Sequence, residues 1–147
     1  MADWLQRNLT EVFQLPPDAT DWLLSLWNVM QVFDDVADGD PVSRADLDRA
    51  IHDSLVGFYQ NSFFARHVPY LVPLMAVAIL KWQASDKAER DHKPTAMSYA
   101  WRAGYYDIVL AVVSLCHGQF VAQQNAHLVM ALYGEPLDAY LSEFNHA

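Results

Sequence analysis

The sequence predicts an all-α fold, a compact array or bundle of about six helices in a single domain. Apolar residues recur at spacings of three and four along most of the chain, and no segment keeps the alternation of a half-buried strand. Glycine is scarce, with five residues, and hairpin dipeptides such as Asn-Gly are absent. A length of 147 residues suits one domain with one core, so residues 1–147 are expected to form it.

A short opening segment and a long helix are predicted before residue 40. Residues 1–15 are expected to form a peripheral N-terminal helix, which the Pro16-Pro17 pair separates from the long helix. Asp18 or Thr20 can cap the long helix, and Gly39 ends it. This helix is expected to face the core with an apolar stripe of Trp22, Leu26, Val29, Phe33 and Val36.

The central helices are predicted from a capping motif and two prolines. Ser43 followed by Asp46 resembles a capping box with Asp in place of Glu. The helix that it opens carries the apolar set Leu47, Ile51, Leu55 and Phe58. A buried helix over about 69–88 comes next, with the apolar run 68–80 at the centre of the fold. This run is shorter than the about 20 residues that a membrane span needs, so no membrane association is expected.

The last helices are bounded by proline and glycine. Pro94 at a first helical position opens a helix that Gly118 closes, and its segment 108–116 is the second expected centre of the core. Further helices are predicted over about 119–133 and 136–144.

The composition limits the partners of this chain. Its formal net charge is −9, and its Lys and Arg residues are scattered singly, so no nucleic-acid partner is expected. Hydrophobic residues make up 53% of the chain, including five Trp, seven Tyr and seven Phe. Contiguous apolar surface that the core does not absorb is typical of an interface, which predicts a homo-oligomer or another protein partner.

The single cysteine indicates the compartment. Cys116 excludes an internal disulfide and agrees with a reducing cytoplasm. The N-terminal residues lack the basic and apolar regions of a secretory signal, so the expected location is the cytoplasm. The apolar neighbours of Cys116 favour a buried inert thiol over a nucleophile.

The acidic run over residues 34–40, DDVADGD, is the feature that points to chemistry. Asp38 lies about 40° around the helix from Asp34 and about 60° from Asp35, so three carboxylates converge near the helix end. They repel one another and the helix dipole, and a divalent cation would relieve both penalties. Carboxylates suit Mg²⁺ or Mn²⁺. The polar stripe on this side of the helix consists of Asn28, Gln31, Asp34, Asp35 and Asp38.

The same run also has an ordinary structural interpretation. Asp is common near turns, and the sequence DGDP over residues 38–41 is typical of one. Asp34 and Asp35 can pair with Arg44 or Arg49 of the following helix. Structural ion pairs imitate metal sites, so the sequence leaves both interpretations open.

Asp107 is a lone charge in an apolar helix. A buried carboxylate must be paired, hydrogen-bonded, protonated or metal-bound. A Tyr hydroxyl or an Arg is the ordinary partner, although Arg102 lies about 140° around the helix and is poorly placed. The alternative makes Asp107 a facing ligand that completes the metal site of the acidic run.

Residues 34–38 resemble the DDxxD motif of the class I isoprenoid synthases. The match covers these five residues. The resemblance implies an all-helical enzyme in which Asp34, Asp35 and Asp38 hold Mg²⁺ against a substrate diphosphate. It also implies a second acidic motif on an opposed helix, where Asp107 is the available residue, and basic residues that grip the diphosphate.

Other comparisons from the sequence are less specific. All-α nucleotide pyrophosphohydrolases use paired Glu and Asp residues on two helices, whereas this chain has four Glu and none is paired at helical spacing. The small, acidic, Trp-rich helical character also resembles uncharacterised proteins encoded by phages and prophages. The six histidines form no zinc-ligand motif.

Two functions therefore remain open. The favoured one is a non-catalytic, oligomeric interaction or assembly module, because basic partners and a complete second acidic motif are missing for catalysis. The other is a protein that binds Mg²⁺ or Mn²⁺ and acts on a phosphate or diphosphate. Its metal ligands are predicted to be Asp34, Asp35, Asp38 and Asp107.

Overall fold

The chain is all-α in the computed structural model, as the sequence predicts. The structure describes residues 2–144, and no strand occurs in this range; Met1 and residues 145–147 lie outside it. The α-helices, numbered in chain order, are α1 (Ala2–Arg7), α2 (Pro17–Asp38), α3 (Arg44–His52), α4 (Phe58–Gln60), α5 (Ser62–Arg90), α6 (Ala96–Trp101), α7 (Gly104–His117), α8 (Gln119–Met130) and α9 (Leu137–Ser142). π-Helical turns over Asn8–Val12 and Asp53–Gly57 continue α1 and α3.

Contacts between residues divide the chain into two compact units, Met1–Val68 and Pro69–Ala147. The first contains α1 to α4 and the start of α5, and the second contains the rest of α5 with α6 to α9. Each unit buries its own set of apolar side chains. The single-domain organisation expected for residues 1–147 stays a prediction.

Trp22 lies in the core of the first unit. Its side chain is 1% exposed and stacks on Phe64 with ring centroids 5.1 Å apart, while Phe58 meets it edge-on at 6.1 Å. Such aromatic pairs add to the free energy gained by burying the rings. The other buried apolar side chains of this unit are Leu5, Leu9, Phe13, Leu15, Ala19, Leu23, Leu26, Val29, Ala50 and Phe63.

The N-terminal segment belongs to this core and is not peripheral. The sequence predicts a peripheral helix over residues 1–15, but Leu5 and Leu9 are fully buried, as are Phe13 and Leu15 beyond the helix end. The physical reason is the spacing of these four residues, which places large apolar side chains on one side of the segment.

Two predicted apolar stripes are only partly covered. The stripe of α2 is buried as far as Val29, whereas Phe33 and Val36 are 49% and 55% exposed. In the following helix Phe58 is buried, but Ile51 is exposed and so is Leu55 in the π-helical turn. Helical spacing predicts that such residues share a face, but it does not fix how far a neighbouring element covers that face.

The boundaries of α2 and α3 follow from local chemistry. Pro17 occupies the first helical position of α2, where the missing N–H costs nothing. Gly39 ends α2 with a φ of 77°, a left-handed conformation that glycine adopts without steric cost. Ser43 caps α3, and its Oγ accepts a hydrogen bond from the backbone N–H of Asp46 at 3.1 Å.

The long helix α5 begins earlier than the sequence predicts. It starts at Ser62, where Asn61 Oδ1 accepts the backbone N–H of Phe64 at 3.0 Å, and it runs through both Pro69 and Pro73. Proline removes the hydrogen bond to the carbonyl four residues before it, here those of Ala65 and Pro69. Both residues are exposed, so water can satisfy these carbonyls and the helix continues.

In the second unit α7 forms the centre of the core, as the sequence predicts. Ile108, Val109, Val112 and Val113 are at most 1% exposed. The prediction that residues 68–80 are equally central is wrong: the described structure buries only Leu71 and Ala78 of this run. The reason is that only one side of α5 packs against other helices. The hydrophobicity of a helix does not show whether one side or two sides of it are buried.

The helix predicted to open at Pro94 is two helices. Thr95 caps α6 through a capping box with Ser98, and the helix ends at Trp101 before α7 begins at Gly104. Gly118, with a φ of 90°, joins α7 to α8. Both joints depend on hydrogen bonds or backbone conformations that helical periodicity does not contain.

Candidate functional site

A shallow polar cleft between α2 and the α3 region is the candidate site of the first unit. Its volume is about 160 Å³. Polar stripe residues of α2 form one wall, and residues of α3 and the π-helical turn after it form the other. The lining residues are Asn28, Val29, Gln31, Val32, Asp35, Asp46, Arg49, Ala50 and Asp53.

The cleft brings together part of the predicted polar stripe. Asn28, Gln31 and Asp35 line it, whereas Asp34 and Asp38 are not among its lining residues. Asp34 is half-buried and Asp38 is exposed at the end of α2. The three carboxylates of the acidic run therefore do not all face this one cleft.

Carboxylates dominate the charge of the cleft. Asp35, Asp46 and Asp53 are among its lining residues, and Arg49 is the one guanidinium of the lining. The Nη1 atom of Arg49 lies 3.8 Å from Oδ1 of Asp46, and both side chains are more than half exposed. An exposed ion pair of this kind contributes little to stability. The cleft is thus a negatively charged, solvent-accessible depression with two amide side chains at its edge.

The turn after α2 accounts for the remaining acidic residues of the run. The backbone N–H of Asp40 donates to the carbonyl of Asp35 at 2.8 Å, and that of Gly39 donates to Val36 at 3.2 Å. These bonds close the last turn of the helix in the way that a left-handed glycine permits. The main chain of Gly39 and Asp40 thus forms the turn that the DGDP sequence predicts.

Asp107 lies in the second unit and has a basic partner there. Its Oδ2 is 2.8 Å from Nζ of Lys81, and the two side chains are 41% and 35% exposed. The expectation of a buried carboxylate with a Tyr or Arg partner is wrong on both counts. The helix position of Asp107 leaves its side chain at the rim of the core, where a lysine from α5 reaches it.

Among residues 2–144, no three His, Cys, Asp or Glu side chains are grouped so that they can hold a metal ion. The site of Asp34, Asp35, Asp38 and Asp107, with Mg²⁺ or Mn²⁺ as its cofactor, stays a prediction from the sequence.

The second unit contains a buried polar network that the sequence did not predict. Arg102 lies between two carboxylates, with Nε 3.6 Å from Glu89 and Nη1 3.7 Å from Glu135. The Tyr140 hydroxyl donates to Glu89 at 3.1 Å and shares a 2.8 Å hydrogen bond with Ser98 Oγ. Arg102 also lies over the Tyr140 ring, 5.3 Å from its centroid. The network ties α5, α6 and α9 together.

The groups of this network satisfy one another, so its role is structural. Ser85 Oγ hydrogen-bonds to Glu89 and to the carbonyl of Ser98, each at 2.9 Å. The Tyr99 hydroxyl donates to the Glu135 carbonyl. Burial is the main cause that raises the pKa of Tyr140 and of Tyr133. The sequence carries one signal for this network, an arginine within a mostly apolar stretch from Trp101 to Val113.

One side of α5 in the second unit exposes several large apolar side chains. Tyr70, Val77, Ile79 and Leu80 are 68%, 52%, 55% and 64% exposed. By length and composition α5 suffices to cross a membrane, yet only 22% of its most apolar 18-residue stretch is buried. The core helix of a compact unit is mostly buried, so α5 presents apolar surface beyond what its own unit covers.

No family model, curated protein or solved structure matches this chain. The resemblances to class I isoprenoid synthases and to phage-encoded proteins stay predictions from the sequence.

Proposed function

We propose that this chain is a non-catalytic, oligomeric interaction or assembly module that self-associates through its exposed apolar helix surface. The observation that carries the proposal is the uncovered side of α5, where large apolar side chains such as Tyr70 and Leu80 are about two-thirds exposed. Monomeric proteins rarely expose contiguous apolar patches of this kind, whereas interfaces do. We propose the cytoplasm as its location, which the single cysteine supports.

The pairing of charged groups in the second unit supports a structural role. Glu89 and Glu135 contact Arg102, and Asp107 contacts Lys81. Each of these carboxylates has a basic partner within its own unit, as in a network that holds helices together.

Sedimentation velocity on the native chain over a wide dilution series tests the proposal. We expect a species larger than the monomer that dissociates reversibly on dilution, because burial of the exposed apolar surface drives association. A chain that sediments as a monomer at every concentration would contradict the proposal.

Binding of a divalent cation near the acidic run is the second candidate function. One observation bears on it: Asp35 lines the same cleft as Asp46 and Asp53. No three such side chains among residues 2–144 are grouped closely enough to hold a metal together, so a cation there would keep most of its water ligands. Oxygen ligands of this kind suit Mg²⁺ and Mn²⁺. A metal held there could serve a phosphate or diphosphate substrate by neutralising its charge.

Titration calorimetry with Mg²⁺ and Mn²⁺ tests this second candidate. Asp34→Ala/Asp38→Ala removes two of the three motif aspartates, and Asp46→Asn/Asp53→Asn removes the cleft carboxylates that lie outside the motif. Saturable binding that only one pair of substitutions abolishes would locate the ligands. A thermal melt gives the matching readout, since free metal at 100 times Kd stabilises the folded state by about 2.7 kcal/mol. Absence of binding to the native chain would remove this candidate.

A further inference from the structure

A stripe with heptad spacing runs along the exposed side of α5 in the second unit. Leu71, Ala78 and Ser85, spaced by seven, are the buried positions of this part of the helix. The stripe, by contrast, consists of residues that are all exposed, and its steps of three and four are those of a helix–helix seam. Its members are Tyr70, Pro73, Val77, Leu80, Ala84 and Lys87.

We propose that a second copy of this chain covers the stripe, with the two α5 helices antiparallel about a two-fold axis between residues 78 and 79. This inference rests on the proposed assembly function and names its partner. In a two-fold interface, residue i of one copy meets residue j of the other, and j meets i. About this axis Val77 faces Leu80 of the second copy, Pro73 faces Ala84, and Tyr70 faces Lys87.

The residues of the stripe complement one another in this arrangement. Val77 and Leu80 place branched apolar side chains at the middle of the contact, and the small Ala84 leaves room for the ring of Pro73. Lys87 then lies beside an aromatic ring, a favourable position for a cation. Lys87 Nζ is 2.7 Å from Asp91 in its own chain, so its charge enters the contact already balanced.

The charges favour antiparallel over parallel packing. Parallel helices in register would align the two helix dipoles and would place the two Lys87–Asp91 pairs side by side. Antiparallel helices oppose the dipoles and separate the two Lys87 side chains to opposite ends of the contact.

The same stripe is a poor fit to a lipid bilayer. Its uncharged part, from Tyr70 to Ala84, spans about 21 Å of helix, less than the roughly 30 Å hydrocarbon thickness of a bilayer, although α5 as a whole is long enough to cross one. The ion pair of Lys81 and Asp107 lies at the same level of α5, half-exposed, and would have to enter the hydrocarbon. The net charge of −9 also repels anionic headgroups. A protein surface of matching length therefore suits the stripe better.

Sedimentation equilibrium on the full chain and two stripe variants tests the partner. Leu80→Glu and Val77→Glu each place a charge in the centre of the contact, and we expect either to raise the dimer Kd by more than about 100-fold. Met97→Glu is the matched control, because Met97 is an exposed apolar residue of the same unit, 63% exposed and on α6. Circular dichroism confirms that each variant stays helical.

A distance measurement tests the orientation. Spin labels on Tyr70→Cys, in a Cys116→Ser background, should lie about 25 Å apart along the antiparallel pair, since 17 helical residues separate them. Parallel packing would bring the labels to about 10 Å, the distance between helix axes. Labels at the shorter distance would overturn the antiparallel arrangement.

The outcomes separate this inference from the proposed function. A native dimer that both stripe variants leave intact would overturn the inference while the assembly function stands. A native chain that stays monomeric would overturn both. A native monomer that floats with phosphatidylcholine vesicles would also overturn both, in favour of a membrane partner. Dimer loss in Leu80→Glu and Val77→Glu, with Met97→Glu unaffected, is the result we expect.

Discussion

Gly104, the first residue of α7, lies directly against Ala78 of α5. A Cβ atom at position 104 would stand 2.9 Å from the Ala78 Cβ and 3.1 Å from its Cα. Contacts this short do not occur between real side chains, so the absence of a side chain at Gly104 sets how closely the two helices approach. The joint between α6 and α7 thereby places the central helix of the second unit.

Gly104→Ala should destabilise the protein by about 1–3 kcal/mol, because the new methyl group forces the two helices apart. Helix propensity alone would give the opposite sign, since Ala is favoured over Gly by about 1 kcal/mol within helices. Urea denaturation measures the difference. Gly134→Ala is the control, because the nearest atom to its Cβ would be 3.8 Å away.

The double variant Ala78→Gly/Gly104→Ala should recover part of the lost stability, since it returns the missing space to the opposite helix. Equal stabilities of Gly104→Ala and the native chain would show that the helices adjust freely and that the close approach is not required.

Arg102→Met should cost about 2–4 kcal/mol of stability, because Glu89 and Glu135 lose the guanidinium between them in a largely buried site. Arg90→Met is the matched control: Arg90 pairs with Asp86 at 2.9 Å, but its side chain is 65% exposed, against 19% for Arg102. The free energy of unfolding, measured by chemical denaturation, should fall clearly more in Arg102→Met than in Arg90→Met. Similar losses would mean that the buried network adds nothing to an ordinary surface pair.

Asp18→Asn should destabilise the first unit at neutral pH and have less effect in acid. The Ser62 hydroxyl, at 2.8 Å, is the main cause that holds the pKa of Asp18 below its usual range, with further contributions from the Ala19 N–H and Arg66. Because the pKa of Asp18 is lower in the folded state than in the unfolded state, its charge stabilises the fold at pH values above the unfolded-state pKa. This stabilisation is lost as the pH falls through the folded-state pKa. We expect about 1–2 kcal/mol at pH 7.

Thermal melts of the native chain and Asp18→Asn from pH 7 down to pH 2 measure this dependence. The gap between the two melting temperatures should narrow as Asp18 becomes protonated. Asp21→Asn, an exposed residue on the same helix, is the control. A gap that stays constant down to the lowest pH would show that the Asp18 charge does not stabilise the fold.

Four of the seven tyrosines should resist ionisation while the protein is folded. Burial raises the pKa of Tyr105, Tyr106, Tyr133 and Tyr140. The tyrosine pKa in the unfolded state is about 10. The contribution of these tyrosines to the free energy of unfolding is therefore complete below about pH 10 and is lost as the pH rises above it.

Absorbance at alkaline pH, followed together with circular dichroism, measures this effect. The last tyrosinate signal should appear as helix content is lost. The same titration in strong urea, where all seven tyrosines ionise together, is the reference. Complete ionisation at pH 10 with helices intact would contradict the burial of these hydroxyl groups.

The fold class and most helix ends could be predicted from the sequence, because they depend on residues that are neighbours in the chain. Gly39 requires a left-handed backbone, Ser43 offers its hydroxyl to the next turn, and Gly118 separates two apolar segments. The predicted start of α5 was wrong for a related reason. Proline is typical of a helix beginning, whereas here Asn61 supplies the cap and the exposed carbonyls tolerate both prolines.

The candidate site was predictable only in part. Asn28, Gln31 and Asp35 lie on one wall of the cleft, as helical spacing predicts. A rotation of about 100° per residue places residues three or four apart on the same side of a helix. The opposite wall, with Asp46 and Asp53, depends on how α3 folds back on α2. The partner of Asp107 is 26 residues away in sequence, and no local pattern links it to Lys81.

By itself the sequence determined that this chain is helical and where many of its helices begin and end. Those properties follow from periodicity, capping and composition. Tertiary structure decided which apolar runs are buried, so that α7 is central while α5 leaves Leu80 exposed. It also decided that Glu89, Arg102 and Glu135 meet, because packing and ion pairing join residues that the chain itself keeps far apart.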